Sequence, residues 1–378
     1  MTWTTVRLGD VVTLQRGHDL PDSQRKDGDV PIVSSSGVTG RHSEAKAKAP
    51  GVVTGRYGTL GEVFYLEEDY WPLNTALYVT DFKGNHPRFA AYFLKNVLRD
   101  YQSDKAAVPG VNRNVLHELK VRCPDRGLQE HIAGVLSAYD DLIENNRRRM
   151  VLLEDAARLL YREWFVLLRF PGHEHTRITK GIPQAWDRKP LADLCESIDY
   201  GYTASATDQD VGPKFLRITD IVPASIDWSA VPYCEIPDDR LERVRLQTGD
   251  IVIARTGATV GYAKRLHKMH PCAIFASYLV RLRFRPDFSN LLAGVFVESD
   301  DYKAYVQSRV GGAAQPNANA RVLAAAEIPV PPRSIQAAFD DVAGPLADQR
   351  EILACQNRQL HAARDLLLPR LMSGEVTV

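Results

Sequence analysis

The chain has 378 residues, of which 44% are hydrophobic and 25% charged, a composition typical of folded protein with two or three domains. Its 47 Lys and Arg balance 47 Asp and Glu, so the net charge gives no sign of a polyanionic partner, although a local basic face would still permit one. The sequence has no run of 18 apolar residues, no signal-peptide core and no CxxC pair among its five cysteines. We therefore expect a cytoplasmic protein without membrane spans, disulfides or a zinc site.

Residues 1–127 are predicted to form a first strand-rich domain. Alternating apolar residues predict strands at its start, and the polar stretch at 34–40 predicts turns. Two runs of β-branched residues around closely spaced glycines at 51–66 are typical of a β-hairpin. The other elements predicted here are a strand at 76–80, a helix at 87–97 and a strand at 119–123.

A long helix is predicted next, at 128–168, because its apolar residues recur every three and four positions as in a coiled-coil seam. The linker that follows, 169–183, contains two prolines and two glycines. It leads to a second strand-rich domain at 184–333, and the chain closes with a second long helix and tail at 334–378. The elements predicted in the second domain are a hairpin at 249–266, a strand at 278–284, a helix at 291–306 and a strand at 327–330.

The second half of the chain repeats the first at an offset of 207 positions, which aligns Ile132 with Phe339 and Leu160 with Leu367. The short linker places the second domain near the far end of the first helix, so the second helix must run back along the first. The predicted fold is α+β. Two similar strand-rich domains are separated by two long helices packed as an antiparallel coiled coil, with pseudo-twofold symmetry.

Four polar residues interrupt the predicted seam: Asn146 and Arg149 in the first helix, and Gln349 and Gln356 in the second. Polar seam residues lower stability but can fix the register and direction of a coiled coil. The other interpretation is that they face solvent where the helices separate or where a partner docks. The sequence leaves both interpretations open.

The starts of the two helices resemble a known family, the specificity (S) subunits of type I restriction-modification systems. The segments VRCPDRGLQEHIAGVLSAYDDLIENNRR at 121–148 and IPVPPRSIQAAFDDVAGPLADQREI at 328–352 are similar to the openings of that family's conserved helical regions. LLLPRLMSGEV at 366–376 resembles its C-terminal end. The match covers essentially the whole chain. It departs from the family pattern at CPD, which replaces a double proline, at Leu128 and Ile335, which replace a Glu, and at Phe339, which replaces an Ile.

The resemblance implies a DNA-recognition subunit without catalytic activity. In the family, each strand-rich domain reads one half of a bipartite asymmetric DNA site, and the helices set the spacing. Two methyltransferase (M) subunits dock on the helical regions, and restriction/translocase (R) subunits join them. By resemblance, the partner-contacting positions are Gln129, Ile132, Gln336 and Phe339. The resemblance implies no cofactor on this chain, while S-adenosylmethionine, ATP and Mg²⁺ belong to the partner subunits.

Candidate DNA-contacting residues lie in the two hairpins. Arg56 and Arg255 stand two residues before aligned glycines, with Tyr57 and Thr256 as neighbours. At these places an arginine could contact phosphates or guanine edges. The competing interpretation is a surface arginine paired with a carboxylate such as Glu62. A basic run in and after the second hairpin favours a DNA surface, with a solvated face as the alternative: Arg255, Lys264, Arg265, Lys268, Arg281, Arg283 and Arg285.

A second set of candidates lies in the turns PGVNRN at 109–114 and PNANAR at 316–321. Asn112 and Asn319 align at the 207 offset, with Arg113 and Asn317 as neighbours. An asparagine amide can pair with adenine. Asparagine is also typical of tight turns, and this interpretation is preferred.

Two other classes of function are weighed against DNA recognition. Pro286 and Asp287, followed by Asp301 and Lys303, imitate the PD…(D/E)xK pattern of metal nucleases, although a helix is predicted where that pattern needs a core strand. A self-contained metal-dependent endonuclease is therefore the alternative function, and a coiled-coil adaptor without DNA affinity is a third hypothesis. The sequence contains neither GxxxxGK[ST] nor Asn-Pro-Pro-Tyr/Phe, so translocation and base methylation are assigned to other chains.

Overall fold

The structure, a computed structural model, describes residues 2–56, 61–99, 112–310 and 317–377. The chain divides into two compact units. Unit 1 consists of residues 1–144 and 359–378, and unit 2 consists of residues 145–358. Both units combine sheets with helices, and both contain segments of two long helices. The predicted α+β class, with two strand-rich parts and two long helices, is confirmed.

Unit 1 has nine strands and three complete helices in its described residues, together with segments of the two long helices. The strands are β1 (Trp3–Arg7), β2 (Thr13–Arg16), β3 (Val30–Ser34), β4 (Gly37–His42), β5 (Gly51–Gly55), β6 (Val63–Leu66), β7 (Trp71–Pro72), β8 (Ala76–Asp81) and β9 (Lys120–Pro124). The complete helices are α1 (Leu8–Val11), α2 (Pro87–Arg99) and α3 (Arg113–Glu118), and the long helices are α4 (Arg126–Tyr161) and α11 (Arg333–Ser373).

Unit 2 holds the remaining elements of the described chain. Its strands are β10 (Ile178–Thr179), β11 (Ile182–Pro183), β12 (Asp187–Pro190), β13 (Cys195–Tyr200), β14 (Lys214–Leu216), β15 (Ile251–Ala254), β16 (Ala263–Arg265), β17 (Ala273–Phe275), β18 (Leu279–Phe284) and β19 (Glu327–Val330). Its complete helices are α5 (Leu191–Leu194), α6 (Ile218–Ile221), α7 (Asp238–Val244), α8 (Asn290–Val297), α9 (Asp300–Val310) and α10 (Ala320–Ala324).

The two units share one strand topology. The antiparallel four-stranded sheet has the order β2-β8-β5-β6 in unit 1 and β13-β18-β15-β16 in unit 2. Each unit also pairs an early strand with the strand before a long helix, β1 with β9 and β12 with β19, and each has one parallel pair, β3 with β7 and β14 with β17. The hairpins predicted at 51–66 and 249–266 are confirmed as β5–β6 and β15–β16.

Two predicted helices differ in detail from the structure. The helix expected at 291–306 is two helices, α8 and α9, separated at Glu298 and Ser299. The Ser299 hydroxyl donates to the carbonyl of Phe296 and accepts from the amide of Tyr302, so it serves the end of one helix and the start of the next. The first long helix ends at Tyr161 and continues as a π-helical turn over Arg162–Val166.

The long-helix segments within unit 2 are antiparallel. The Nδ2 of Asn146 donates to the Oδ1 of Asn357 at 2.9 Å, and the carboxylate of Glu154 lies 3.5 Å from the guanidinium of Arg350. Residue numbers therefore rise along α4 as they fall along α11. Asn146 and Asn357 are both buried, although Gln356 rather than Asn357 was the predicted seam residue. The phase of the second helix turns Gln356 outward and Asn357 inward.

The helix segments within unit 1 are tied together at a different place. The carboxylate of Asp140 pairs with the guanidinium of Arg364, and Leu136 and Leu368 belong to one apolar core with α2. In the repeat, the residues equivalent to this ion pair are Ala347 and Ala157.

Among the described residues no helix has both the length and the apolar content that crossing a bilayer requires.

Ala157 and Ala347 line a cavity of about 60 Å³ inside unit 2. Leu153, Leu291 and Gly294 contribute to its apolar lining. Glu154 and Arg350, which pair across the two helices, also line this space, so the two alanines leave a cavity beside that ion pair.

The buried asparagine pair gives a stability prediction. We expect Asn146→Ala to lower the free energy of unfolding by about 1–3 kcal/mol, because the buried Oδ1 of Asn357 loses this donor. The double variant Asn146→Leu/Asn357→Leu should recover most of that loss, since both polar partners are removed together. Urea unfolding measures both, with Arg149→Ala at an exposed position of the same helix as the control. A single variant as stable as wild type would contradict the pairing.

The cavity gives a prediction of opposite sign. We expect Ala347→Val to raise the free energy of unfolding by about 0.5–1 kcal/mol, because the added methyl groups occupy empty space. The control is Ala324→Val, in a fully buried position of the same unit's core, which should lower stability by about 1–3 kcal/mol through overpacking. Thermal unfolding of the two variants compares them directly. Equal losses in both would show that the cavity is not available for filling.

Candidate nucleic-acid interface

The centre of the site in unit 2 is the chain that leaves β15. The amide of Arg255 donates to the carbonyl oxygen of Tyr278 at 3.0 Å, and the carbonyl of Arg255 accepts from the amide of Ala318 at 2.8 Å. The next residue, Thr256, forms an antiparallel bridge with Asn317. The structure therefore brings together two segments that the sequence marked separately, the hairpin and the loop before α10.

The side chain of Arg255 is held by an aromatic ring and an amide. Its guanidinium carbon lies 4.8 Å from the ring centroid of Tyr200, and its Nη2 lies 3.4 Å from the Oδ1 of Asn317. Within the described ranges no carboxylate forms an ion pair with this arginine, so the interpretation of a surface arginine paired with an acidic residue does not apply to it. A positive charge held by a ring and a neutral amide keeps its attraction for an anionic or electron-rich partner.

Tyr200 was not among the residues singled out from the sequence. It is the last residue of β13, its side chain is 44% exposed, and its hydroxyl accepts a hydrogen bond from the amide of Ala320 at 2.9 Å. The nearby Tyr278 is 62% exposed. The feature of the sequence that could have pointed to Tyr200 is the glycine after it, Gly201. A Cβ at Gly201 would lie 2.3 Å from the carbonyl oxygen of Ala276, so two main-chain segments cross here too closely for any other residue.

The same crossing occurs in unit 1. A Cβ on Gly17 would lie 2.2 Å from the carbonyl oxygen of Leu73, and Gly17 donates to the carbonyl of Ala76 as Gly201 does to that of Leu279. The amide of Arg56 donates to the carbonyl of Thr75 at 3.0 Å, which matches the bond between Arg255 and Tyr278.

These main-chain bonds give the equivalent residues of the two units. Arg56 corresponds to Arg255, as the sequence predicted, and Arg16 takes the place of Tyr200. Thr75 takes the place of Tyr278. Tyr57, the other candidate of this hairpin, lies outside the described residues.

The two aligned asparagines are helix N-caps. The Oδ1 of Asn112 accepts from the amide of Asn114 at the start of α3, and the Oδ1 of Asn319 accepts from the amide of Val322 at the start of α10. Bidentate pairing with adenine needs both amide atoms, so the capping bond competes with it. The structure thus gives both residues the turn role that was preferred on sequence grounds. Arg113 is exposed as the first residue of α3.

Most of the predicted basic run faces the interior of unit 2, which corrects its interpretation as a DNA surface. Arg281 pairs with Asp199 at 2.6 Å, and Arg283 pairs with Asp250 at 2.8 Å. Although burial raises the pKa of Asp199, the bonds from Arg281 and Ser197 outweigh it and hold that pKa below its usual value.

The rest of the run also has polar partners, which lie on helices and loops rather than on the strands of the sheet. Lys264 lies 3.6 Å from the buried carboxylate of Glu298, and Arg265 donates to Asn290. Lys268 pairs with Asp348 and Arg285 with Asp287, both at the surface.

The nuclease-like pattern does not form a metal site in the described residues. Asp301 and Lys303 lie on α9, where the ammonium of Lys303 is 3.2 Å from Asp300 and 5.2 Å from the ring centroid of Tyr262. Asp287 pairs instead with Arg285. Over the ranges that the structure describes, no group of three or more His, Cys, Asp or Glu side chains could hold an ion.

The glutamines predicted to contact a partner are buried and bonded within their own units. The Oε1 of Gln129 accepts from the amide of His86, just before α2, and its Nε2 donates to the carbonyl of Pro124, both at 2.9 Å. The Oε1 of Gln336 accepts from the amide of Ser289, just before α8, and its Nε2 donates to the carbonyl of Pro331, again at 2.9 Å.

Ile132 and Phe339 are also buried, at 1% and 0% exposure. Ile132 lies in the core of unit 1, and Phe339 packs on Phe165 and Trp164 in unit 2. The prediction that these two residues and the two glutamines contact a partner is therefore corrected. Their side chains fix the start of each long helix against its own strand-rich domain.

Comparisons with known proteins agree with this duplicated architecture. Residues 1–154 match the family model described as type I restriction modification DNA specificity domain. The type I restriction enzyme MjaVIII specificity subunit of Methanocaldococcus jannaschii is 23% identical over 301 residues, covering 77% of this chain and 70% of that protein. The HindI specificity subunit of Haemophilus influenzae is 21% identical over 351 residues, covering 73% of each.

A solved structure extends the likeness to the fold. The crystal structure of the type I restriction-modification system S subunit from M. genitalium aligns with a TM-score of 0.61 and 14% identity, covering 98% of this chain and 96% of that one. The sequence relatives and this shared fold agree with the resemblance seen at the helix starts. The chain is therefore similar to type I restriction-modification specificity subunits over most of its length, and its residues 1–154 match that family's DNA specificity domain.

Proposed function

We propose that the protein is the non-catalytic DNA-recognition subunit of a type I restriction-modification complex and that each unit reads one half of a bipartite asymmetric site. The proposal rests on a main-chain arrangement that occurs in both units. The glycine after an edge strand of the four-stranded sheet and an arginine both donate their amides to the same short segment, and that arginine is Arg56 in unit 1 and Arg255 in unit 2. Arginines at such places suit phosphate oxygens or guanine edges.

The difference between the units supports an asymmetric site. Around the shared main-chain frame, unit 1 presents Arg16 and Thr75, whereas unit 2 presents Tyr200 and Tyr278. Arginine, threonine and tyrosine offer different donors, acceptors and apolar surface to a base edge. Because the two units share this main-chain arrangement, both could bind DNA in the same orientation. Because their exposed side chains differ, each would read a different base sequence.

A duplicated exposed leucine supports two copies of one partner. Leu159 on α4 and Leu366 on α11 align at the 207 offset, and they are 58% and 72% exposed. One belongs to unit 2 and the other to unit 1. Exposed apolar residues repeated at equivalent places fit a protein interface that is used twice. We assign these positions to the two methyltransferase subunits, in place of the buried glutamines.

The remaining parts of the proposal concern the complex rather than this chain. S-adenosylmethionine would be bound by the methyltransferase subunits, and ATP and Mg²⁺ by the restriction/translocase subunits that join them. The complex would work in the cytoplasm, where cellular DNA is accessible to it.

Domain exchange tests independent reading by the two units. Host DNA is mapped for methylation after the protein is expressed with its methyltransferase partner, and again after residues 1–125 are replaced by those of another specificity subunit. We expect one half of the methylated motif to change and the other half to remain, because the frame of unit 2 is untouched. Changes in both halves would contradict independent reading, and the absence of any methylated motif with the native chain would contradict the proposed function.

Charge insertion tests partner docking. We expect Leu159→Asp or Leu366→Asp to weaken one methyltransferase site at least about tenfold, because a leucine contributes roughly 1.5–3 kcal/mol when buried. The double variant should bind neither copy. Mass measurement of the purified complexes counts the bound subunits. Val38→Asp, on a strand position 57% exposed, is the control and should leave two copies bound. Full binding by the double variant would refute this assignment.

A further inference from the structure

We propose that Tyr200 is a positioning residue that holds Arg255 as the guanine-reading group of unit 2. The inference rests on the proposed function and deepens it by naming both the base class and the residue that sets the geometry. It follows from the way one exposed tyrosine contacts two segments that are far away in the sequence, the end of β15 and the start of α10.

The ring of Tyr200 acts on the arginine. The guanidinium carbon lies 4.8 Å from the ring centroid, within the range in which a cation is attracted to the face of an aromatic ring. Arginine has many rotamers when free, so an ordered guanidinium loses less conformational freedom when it binds a base. The Nε of Arg255 is buried and its Nη2 makes one contact of 3.4 Å with Asn317, so the donors left for a base are those at the outer end of the guanidinium.

The hydroxyl of Tyr200 acts on the neighbouring loop. It accepts from the amide of Ala320, directly after Asn319, the residue that caps α10. Asn317 in the same loop bridges to Thr256 and lies 3.4 Å from the Nη2 of Arg255. The tyrosine, the arginine and the loop thus form one hydrogen-bonded and stacked group on the surface of unit 2.

The chemistry of this group favours a guanine edge. Arginine pairs in bidentate fashion with the O6 and N7 of guanine, and such a pair discriminates against other bases, whereas a phosphate contact does not depend on sequence. A guanidinium fixed by a ring and a loop has a defined direction, which base reading needs more than phosphate binding does. In unit 1 the equivalent place holds Arg16, which offers no ring face, so the two half-sites should differ at this position.

The test uses the full chain with its methyltransferase partner and DNA duplexes that carry the mapped motif. Each base pair of the second half-site is replaced in turn, and binding is measured for wild type and for Tyr200→Phe, Tyr200→Leu and Arg255→Ala. Phenylalanine keeps the ring and removes the hydroxyl, whereas leucine keeps apolar volume and removes the ring. The first half-site, read by unit 1, is the internal control for correct folding.

We expect Arg255→Ala to lose about 5- to 100-fold in discrimination at one guanine position. Tyr200→Leu should lose discrimination about tenfold at that same position, because the guanidinium is no longer held by a ring. Tyr200→Phe should stay within about threefold of wild type, since it loses one hydrogen bond and keeps the stacking. The double variant Tyr200→Leu/Arg255→Ala should be no worse than Arg255→Ala, because the tyrosine acts through the arginine.

Three results would overturn the inference while leaving the proposed function intact. One is wild-type discrimination in Tyr200→Leu at every position of the second half-site. Another is strict additivity of the two substitutions. The third is an equal loss on all duplexes for Arg255→Ala, which would identify a phosphate contact. If the native chain showed no preference for any duplex, the proposed function itself would fail.

Discussion

A buried glutamine at the start of each long helix is the constraint on which the rest of each unit depends. Gln129 and Gln336 both donate to a proline carbonyl five residues earlier and accept from the amide that precedes a packed helix. Their exposure is 2% and 3%, so neither amide can exchange these partners for water without opening the core. In each unit, the same pair of hydrogen bonds therefore fixes the direction in which the long helix leaves the strand-rich domain.

The two helix pairs use different polar contacts to fix the same antiparallel direction. Unit 2 has a pair of buried asparagines and the ion pair of Glu154 and Arg350. Unit 1 has the ion pair of Asp140 and Arg364, and the hydroxyl of Tyr92 also bonds to Asp140. A buried polar group is satisfied in one register and left without its partner in others, so each contact penalises slippage along the helices.

The equal numbers of cationic and anionic side chains in the sequence fit the ion pairs that form in unit 2. Many of its cations pair with carboxylates in or beside the sheet, including Arg281 with Asp199 and Lys264 with Glu298. Burial raises the pKa of Glu298, but Lys264 and Arg350 outweigh it and lower that pKa overall. Arg255 differs from these residues because a ring and an amide hold it, and this difference is the reason that we propose it as a recognition residue.

The amino-acid sequence by itself determined the repeat, the long helices, the two hairpins and the resemblance to specificity subunits, because these depend on local periodicity and on motifs that lie contiguously in the chain. Tertiary structure decided which side chains meet. Tyr200 and Arg255 become neighbours only when β13 and β15 join the same sheet, and the partner of Asn146 is Asn357 because of the rotational phase of the second helix. The same limit applies to the basic run, in which Arg281 and Arg283 pair with Asp199 and Asp250. Alternation along a strand shows which residues share a face of the sheet, but only packing shows which face lies against the core.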